Sequence, residues 1–253
     1  MTPIELYSKK PSEFYERKLL ETQEILQNAV AEYGKIVQAT SLGVEDMVIT
    51  DFIHRLGLPI SIAMLDTKKL HQQTLDLKDQ AEAHYGLTIK AYYPNQEQVD
   101  EYVQKNGENG IFESVELRKE CCHIRKLVPL KALLKGHEAW ITGLRKEQSN
   151  FRANLEVIEQ ENPSDATQPK VKINPLLDWT IGDIWHYVKE YNVPYNPLHD
   201  QFFVSIGCEP CTRAIALGED FRAGRWWWER DGAKECGLHV HEASSLSNRP
   251  SKQ

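Results

Sequence analysis

Apolar positions along the chain follow two alternating rhythms. From Pro11 to Tyr33, the residues Leu19, Leu20, Ile25, Leu26 and Val30 recur at helical spacing between charges, which predicts a helix packed on one face. Lys35 to Thr40 is a short apolar run and reads as a buried strand; the polar turn Ser41 to Asp46 and an apolar helix from Met47 to Leu56 follow it. The same order then repeats. Pro59 to Leu65 is a strand, Lys69 to Tyr85 a helix closed by Gly86 as a left-handed cap, Leu87 to Tyr92 a strand and Gln96 to Lys105 a helix. A further helix is expected from Cys121 to Lys135 and a strand from Ala139 to Thr142. Strands alternating with helices predict an α/β fold with a mostly parallel sheet and helices on both faces.

The rhythm breaks after this. Gln160 to Lys170 carries Pro163, Ser164, Asp165 and Pro169 and reads as a hairpin-like surface excursion before Val171 to Asn174. Thr180-Ile181-Gly182-Asp183 has the form of a capping box with Asp in place of Glu, so a helix is expected to start there. Beyond Pro194 the chain is dense in Pro, Gly and aromatic residues, and Ser244 to Gln253 is too polar to be expected to pack. With no repeat and no linker, the chain reads as one structural domain: an α/β part over 1–206, including the Cys121/Cys122 helix, and an irregular C-terminal extension over 207–253.

At 253 residues, with 41% apolar and 26% charged side chains, the chain can bury a core, and fibrous or disordered classes are excluded. Its 30 basic residues against 37 acidic ones leave a net charge of -7, which argues against a general nucleic-acid or anionic-membrane binder. An anionic ligand would need a local basic site. No run is long and apolar enough to span a bilayer and the N-terminus lacks a signal-peptide pattern, so a soluble, cytoplasmic protein is expected.

Five cysteines change the picture more than the averages do. An odd number in a chain of this length is a poor disulfide framework. Cys121 and Cys122 are adjacent, Cys208 and Cys211 form a C-x-x-C, and Cys236 stands apart. C-x-x-C converges two sulfurs on one centre, and an adjacent pair is unusual for zinc, whose ligand pairs are normally spaced by two to four residues. On a helix, neighbouring residues point about 100° apart, which suits a ligand with several corners better than a single ion. Structural zinc, buried free thiols and a redox-active C-x-x-C remain the alternatives. Arg118, Lys119, His123, Arg125 and Lys126 crowd the pair, as a solvated charge run or as compensation for a thiolate-rich site. Cys236, between Lys234 and His239, is either an incidental thiol or a nucleophile with a depressed pKa.

Three loops are suited to hold anions. Thr40-Ser41-Leu42-Gly43 lies between a strand and a helix, where backbone N–H groups gather at the positive end of a helix dipole, though it lacks a full phosphate-loop glycine set. Leu65-Asp66-Thr67 ends the second strand, where Asp66 either meets ribose hydroxyls or caps a helix. Thr142 to Ser149 follows the fourth strand and carries Arg145 and Lys146, with Arg152 just beyond; Arg222 and Arg225 flank Gly224 ahead of Trp226-Trp227-Trp228.

Taken together, Thr40 to Asp46, Leu65-Asp66-Thr67, Cys121-Cys122, Thr142 to Ser149, Cys208-Glu209-Pro210-Cys211, Gly224 to Glu229 and Glu235-Cys236-Gly237-Leu238-His239 resemble, in order and nearly end to end, the phosphosulfate reductase family, in its cluster-containing adenylyl-sulfate branch. The resemblance implies an adenine nucleotide alpha-hydrolase-like fold, a 4Fe-4S cluster on Cys121, Cys122, Cys208 and Cys211, and Cys236 as the catalytic thiol. It further implies a substrate site built from Ser41, Gly43, Asp66, Lys126, Arg145, Arg152, Arg222 and Arg225. The implied activity is reduction of adenosine 5'-phosphosulfate to sulfite and AMP through an enzyme S-sulfocysteine, with thioredoxin or a similar dithiol as partner, in sulfate assimilation; a homo-oligomer is a further expectation. The alternatives are use of the 3'-phosphorylated substrate or of both, a zinc-stabilised ATP pyrophosphatase, and a redox sensor without catalysis. The chain departs from the family pattern at Lys68, where Gly usually follows Leu-Asp-Thr, and at Lys146, which replaces an Arg. Lys68 puts a cation where a ribose-contacting turn is expected, one that would suit a 3'-phosphate.

Overall fold

The computed structural model describes residues 1–149, 152–163, 165–216 and 218–229. Six strands form one sheet in the order β3-β2-β1-β4-β6-β5. β1 (Ile36–Thr40) is central, parallel to β2 (Ser61–Leu65) on one side and to β4 (Ala139–Ile141) on the other. β3 (Ile89–Tyr92) extends the sheet beyond β2, and β6 (Val171–Ile173) extends it beyond β4. The excursion after Gln160 is the expected hairpin: β5 (Ile158–Gln160) returns antiparallel to β6 with Glu159 opposite Lys172. Of the five parallel strands, the four inside the sheet, β1, β2, β4 and β6, are covered on both faces, which is why the sheet reads as apolar runs rather than as alternations.

The period of two sorts strand residues to the two faces. Ile36, Ile62, Met64, Ile89, Ala139 and Ile141 enter the larger core, packed by α2 (Tyr15–Glu32), α3 (Val44–Arg55), α4 (Gln72–Tyr85) and α8 (Ile181–Tyr191). Val37, Ala63 and Trp140 face the other way, onto Leu133 and Leu134 of α7 (Val128–Leu134). Within the larger core the buried Asp51 of α3 accepts hydrogen bonds from Tyr85 of α4 (3.1 Å) and Tyr187 of α8 (2.7 Å), so one carboxylate satisfies two phenols that burial leaves no water to meet. α5 (Gln96–Asn106) instead turns Tyr102 and Val103 into a separate small apolar cluster with Cys208, Cys211 and Trp226.

Helix ends follow local chemistry. Gly86 adopts φ 63° and caps α4 as expected. The Thr180 capping box is present in both directions, and its Asp183 also accepts from Ser12 N–H (2.6 Å), Ser12 Oγ (3.0 Å) and Lys18 Nζ (2.8 Å), tying α2's entry to α8. A short helix, α1 (Pro3–Tyr7), precedes the one predicted from Pro11. The largest boundary difference concerns the cysteine pair: the helix starts at Val115, where Ser114 caps it, rather than at Cys121. α6 (Val115–Cys122) passes through a π turn, His123–Leu127, into α7. Pro129, two residues past the π turn, lacks the N–H that a regular helix would donate to the preceding turn, and the helix runs on through the π turn rather than in a regular α register there. Among the described residues no helix is long and apolar enough to cross a membrane.

Candidate active site

The chain runs outward from β1 to β2 and β3 and returns on the other side of β1 as β4, so the crevice of this open sheet opens beyond the carboxyl ends of β1 and β4. Two loops meet there. After β1, Leu42 takes φ 58° and Gly43 caps α3. After β4, Gly143 comes so close that a Cβ on it would lie 2.5 Å from Asp46 Oδ1 and 3.1 Å from Asp46 N. Asp46 accepts from both the N–H and the hydroxyl of Ser41 at 2.6 Å, and from the Gly143 N–H. Burial raises its carboxyl to about 6 and neighbouring Glu45 adds to the rise, against the pull of the Ser41 and Gly143 donors. Next to it, Glu45 is held by Arg145 (Nη2 at 2.9 Å, Nε at 3.0 Å); burial acts against its charge, but the guanidinium outweighs it and keeps the carboxyl below its ordinary value.

A cleft of about 210 Å³ opens from these loops. Of the residues expected to bind substrate, Ser41, Gly43, Lys126, Arg152, Arg222 and Arg225 line it, together with Cys208. Three of these cations, Arg152, Arg222 and Arg225, are more than nine-tenths buried, and a buried guanidinium is stable only with acceptors or an anion beside it. Two expected residues do not reach the cleft. Arg145 is buried between Glu45, Glu147 (2.9 Å) and the Trp179 carbonyl, where it joins the β4 loop to α3 and α8. Asp66 turns back on Lys68, accepting from its N–H (2.8 Å) and Nζ (3.1 Å). Lys68 stands at φ 58°, a conformation that favours glycine, and its ammonium lies 4.0 Å from the centre of the Tyr93 ring rather than in the cleft.

The four cysteines of the two pairs lie around a second, small cavity behind the cleft. Cys121, Cys122, Cys208 and Cys211 line it with Lys69, Arg118, Arg125, Lys126 and Trp226. All four are free thiols. Distant segments meet here because backbone bonds join them: Leu70 bridges to Cys208, Glu209 N–H donates to the Lys69 carbonyl (2.8 Å), and Trp226 N–H to the Cys211 carbonyl (3.3 Å). Thr67 Oγ1 lies 3.2 Å from Cys208 Sγ. Burial, followed by the neighbouring Cys208, pushes the Cys211 thiol up to about 12, and burial also raises Cys121 in spite of Arg125. Among the described residues no three acid, imidazole or thiol groups gather as the ligands of one metal ion would. Cys208 and Lys126 line both cavities, so the cysteine group and the basic cleft share a wall. Cys236, the expected nucleophile, lies outside the described residues.

The site residues expected from the sequence leave out several members of this region, although Trp226 and Glu229 fall within the motif Gly224 to Glu229. Trp226 is fully buried, with the Arg118, Arg225 and Arg222 guanidinium carbons 4.4, 4.7 and 5.8 Å from its ring centre; toward the surface, Trp228 meets both its neighbour Trp227 and Phe112 edge to face. The Glu229 carboxylate forms a two-pronged pair with Arg118 at 2.7 and 2.9 Å. His199, buried beside Glu45 and lining the cleft, had no motif to announce it.

A mostly parallel sheet with its crevice at the β1/β4 reversal, basic on one wall and thiol-lined behind, has the architecture of an α/β nucleotide-binding protein. The phosphoadenosine phosphosulfate reductase domain matches residues 35–214, and the chain belongs to that family. It is 51% identical over 219 residues to an adenosine 5'-phosphosulfate reductase of Allochromatium vinosum, covering 87% of this chain and 84% of that one. A protein of the same name from Burkholderia cepacia is 51% identical over 208 residues, covering 82% of each chain. Among solved structures, a phosphoadenylyl-sulfate reductase from Candida auris in complex with phosphate superposes with a TM-score of 0.64 at 33% identity, covering 76% of this chain and 90% of that one. The Candida glabrata FMN adenylyltransferase shares the fold alone, with a TM-score of 0.51 at 17% identity over 81% of this chain and 67% of that one.

Proposed function

We propose that this protein reduces adenosine 5'-phosphosulfate to sulfite and AMP in sulfate assimilation, working in the cytoplasm with thioredoxin or a similar dithiol protein as reductant. The observation that carries this reading is the shared wall: a cleft lined by Lys126, Arg152, Arg222 and Arg225 backs directly onto the four-cysteine cavity. Cations of this kind suit a phosphosulfate, since the forked guanidinium groups match its oxygens. The names of the relatives at 51% identity support the substrate without a 3'-phosphate. Lys68, the cation that would suit such a phosphate, is engaged by Asp66 and Tyr93 instead.

Cys121, Cys122, Cys208 and Cys211 would hold a 4Fe-4S cluster. The donor set fits: four free thiols surround one buried cavity instead of converging on one point, and Lys69, Arg118, Arg125 and Lys126 stand around it to balance thiolate charge. When bound, the cluster supplies a fixed electrostatic and structural centre behind the cleft. The chemistry itself belongs to Cys236. Its thiolate attacks the sulfate sulfur, a sulfur–sulfur bond forms, and the sulfur–oxygen bond to the phosphate breaks with its electron pair leaving on AMP. A thiolate of the dithiol protein then attacks Cys236 Sγ, sulfite departs with the sulfur–sulfur electron pair, and the second thiol closes a disulfide on the reductant while Cys236 is freed. Two electrons pass from dithiol to sulfate sulfur.

The test is sulfite release from both substrate forms with thioredoxin, alongside Cys236→Ser. The variant should retain nucleotide binding, lose turnover by more than about three orders of magnitude and accumulate no S-sulfo-enzyme by mass spectrometry. Normal turnover by Cys236→Ser would overturn the mechanism. A colourless, iron-free active enzyme would overturn the cluster.

A further inference from the structure

Asp46 holds a position in which sites of this architecture usually receive a ligand. Donors at the junction of a strand and a helix N-terminus bind phosphate oxygens in many nucleotide enzymes. Here the Ser41 N–H, the Ser41 hydroxyl and the Gly143 N–H all donate to the Asp46 carboxylate of the same chain. The carboxylate is buried and lines the cleft. The charged groups around it do not cancel it: Glu45 on the same helix adds a second negative charge, Arg145 of the β4 loop is bound to Glu45, and His199 of the 197–201 turn faces Glu45. The four cations, Lys126, Arg152, Arg222 and Arg225, line the same cleft and come from other segments.

We propose that Asp46 is a positioning residue that reserves the Ser41–Gly143 end of the cleft for the uncharged nucleoside part of the ligand and directs its anionic part to the four cations. The inference rests on the nucleotide reading above. The internal carboxylate fixes the two loops at the distance that Gly143 allows, and its charge repels phosphate from the helix end. Nucleoside and anion therefore have separate seats in one cleft.

Two uncharged or simple probes test this on the holoprotein. In the wild type, adenosine and inorganic phosphate should bind together, phosphate leaving the adenosine Kd unchanged. In Asp46→Asn the Ser41 and Gly143 donors are released to bond phosphate oxygens, so phosphate should compete with adenosine, and adenosine alone should bind severalfold more weakly because the carboxylate no longer fixes the two loops. The Tm near neutral pH should not fall, because burial disfavours the charge that the substitution removes. A purely structural clamp predicts the opposite: a lower Tm and no competition. Unchanged adenosine affinity, or phosphate that remains indifferent in the variant, overturns the proposal. Should Asp46→Asn not fold, the wild type alone decides: adenosine affinity should weaken as the pH drops below about 6, and a flat profile overturns it. Failure of adenosine to bind the wild type at all defeats the nucleotide reading itself, whereas equal binding by both proteins defeats only the role of Asp46.

Discussion

Gly143 shows how little room the site leaves. Its φ is ordinary, so the requirement is space alone: the two loops touch where its hydrogen lies, and a methyl there meets the Asp46 carboxylate and backbone. Gly143→Ala should destabilise the fold by about 1 to 3 kcal/mol through overpacking, read from urea denaturation, and should weaken adenosine binding in parallel. Lys68 presents the opposite case, a side chain where glycine would be easier. From the sequence it looked like an added cation for the ligand. The structure gives it another occupation, because a lysine at positive φ beside Asp66 and Tyr93 finds both a carboxylate and a ring within reach. The same gap between residue type and residue direction explains Arg145: its place after β4 was legible, its burial against Glu45 was not, since pairing with a residue 100 positions away leaves no local trace.

At the scale of elements, the alternation of strand and helix and the glycine and threonine caps could be read from the chain, because each depends on neighbours within a few residues. Asp183 extends beyond that range. Burial would raise its pKa, but Lys18, the Thr180 N–H and both Ser12 donors outweigh it and hold the carboxyl below its ordinary value. A carboxylate depressed in the folded state adds stability above its unfolded pKa of about 3.9 and loses it as the pH falls through the folded value. Asp183→Asn should therefore cost about 2 to 3 kcal/mol at neutral pH, with the gap to wild type constant down to about pH 4 and closing below it; chemical denaturation across that range measures it. The helix before the cysteines was placed too late because its first turn, Val115 to Lys119, is polar and offers no apolar period; its start is set by the Ser114 cap.

The whole molecule combines an acidic average with a basic interior cleft. A net charge of -7 resides on surfaces such as the exposed faces of α2 and α5, while four cations from three separate segments turn inward. Screening distinguishes the two parts of the ligand. Raising ionic strength from low salt to about 0.5 M, where the Debye length falls to a few ångströms, should raise the KM for the phosphosulfate severalfold while adenosine affinity moves little; equal sensitivity of the two would contradict separate seats. Motif order along the sequence pointed to this assembly, yet the shared wall between cleft and cysteine cavity could not be read there. It arises from Cys208 and Lys126, 82 residues apart in number, because both are anchored on the segment after β2: Cys208 by its bridge to Leu70, and the π turn holding Lys126 by the Arg125 hydrogen bond to the Thr67 carbonyl (2.9 Å).

The π turn between α6 and α7 amounts to one surplus residue lodged in a helix. It divides the helix into two angular frames, one presenting Cys121 and Cys122 to the rear cavity and one presenting Leu130 and Leu133 to the cleft, with Lys126 in the turn serving both. Removing one residue would restore a regular helix and turn one frame against the other by about 100°. Helicity would survive and the alignment of thiols with substrate would not, so in this segment the spacing of residues is under tighter constraint than the identity of most of them.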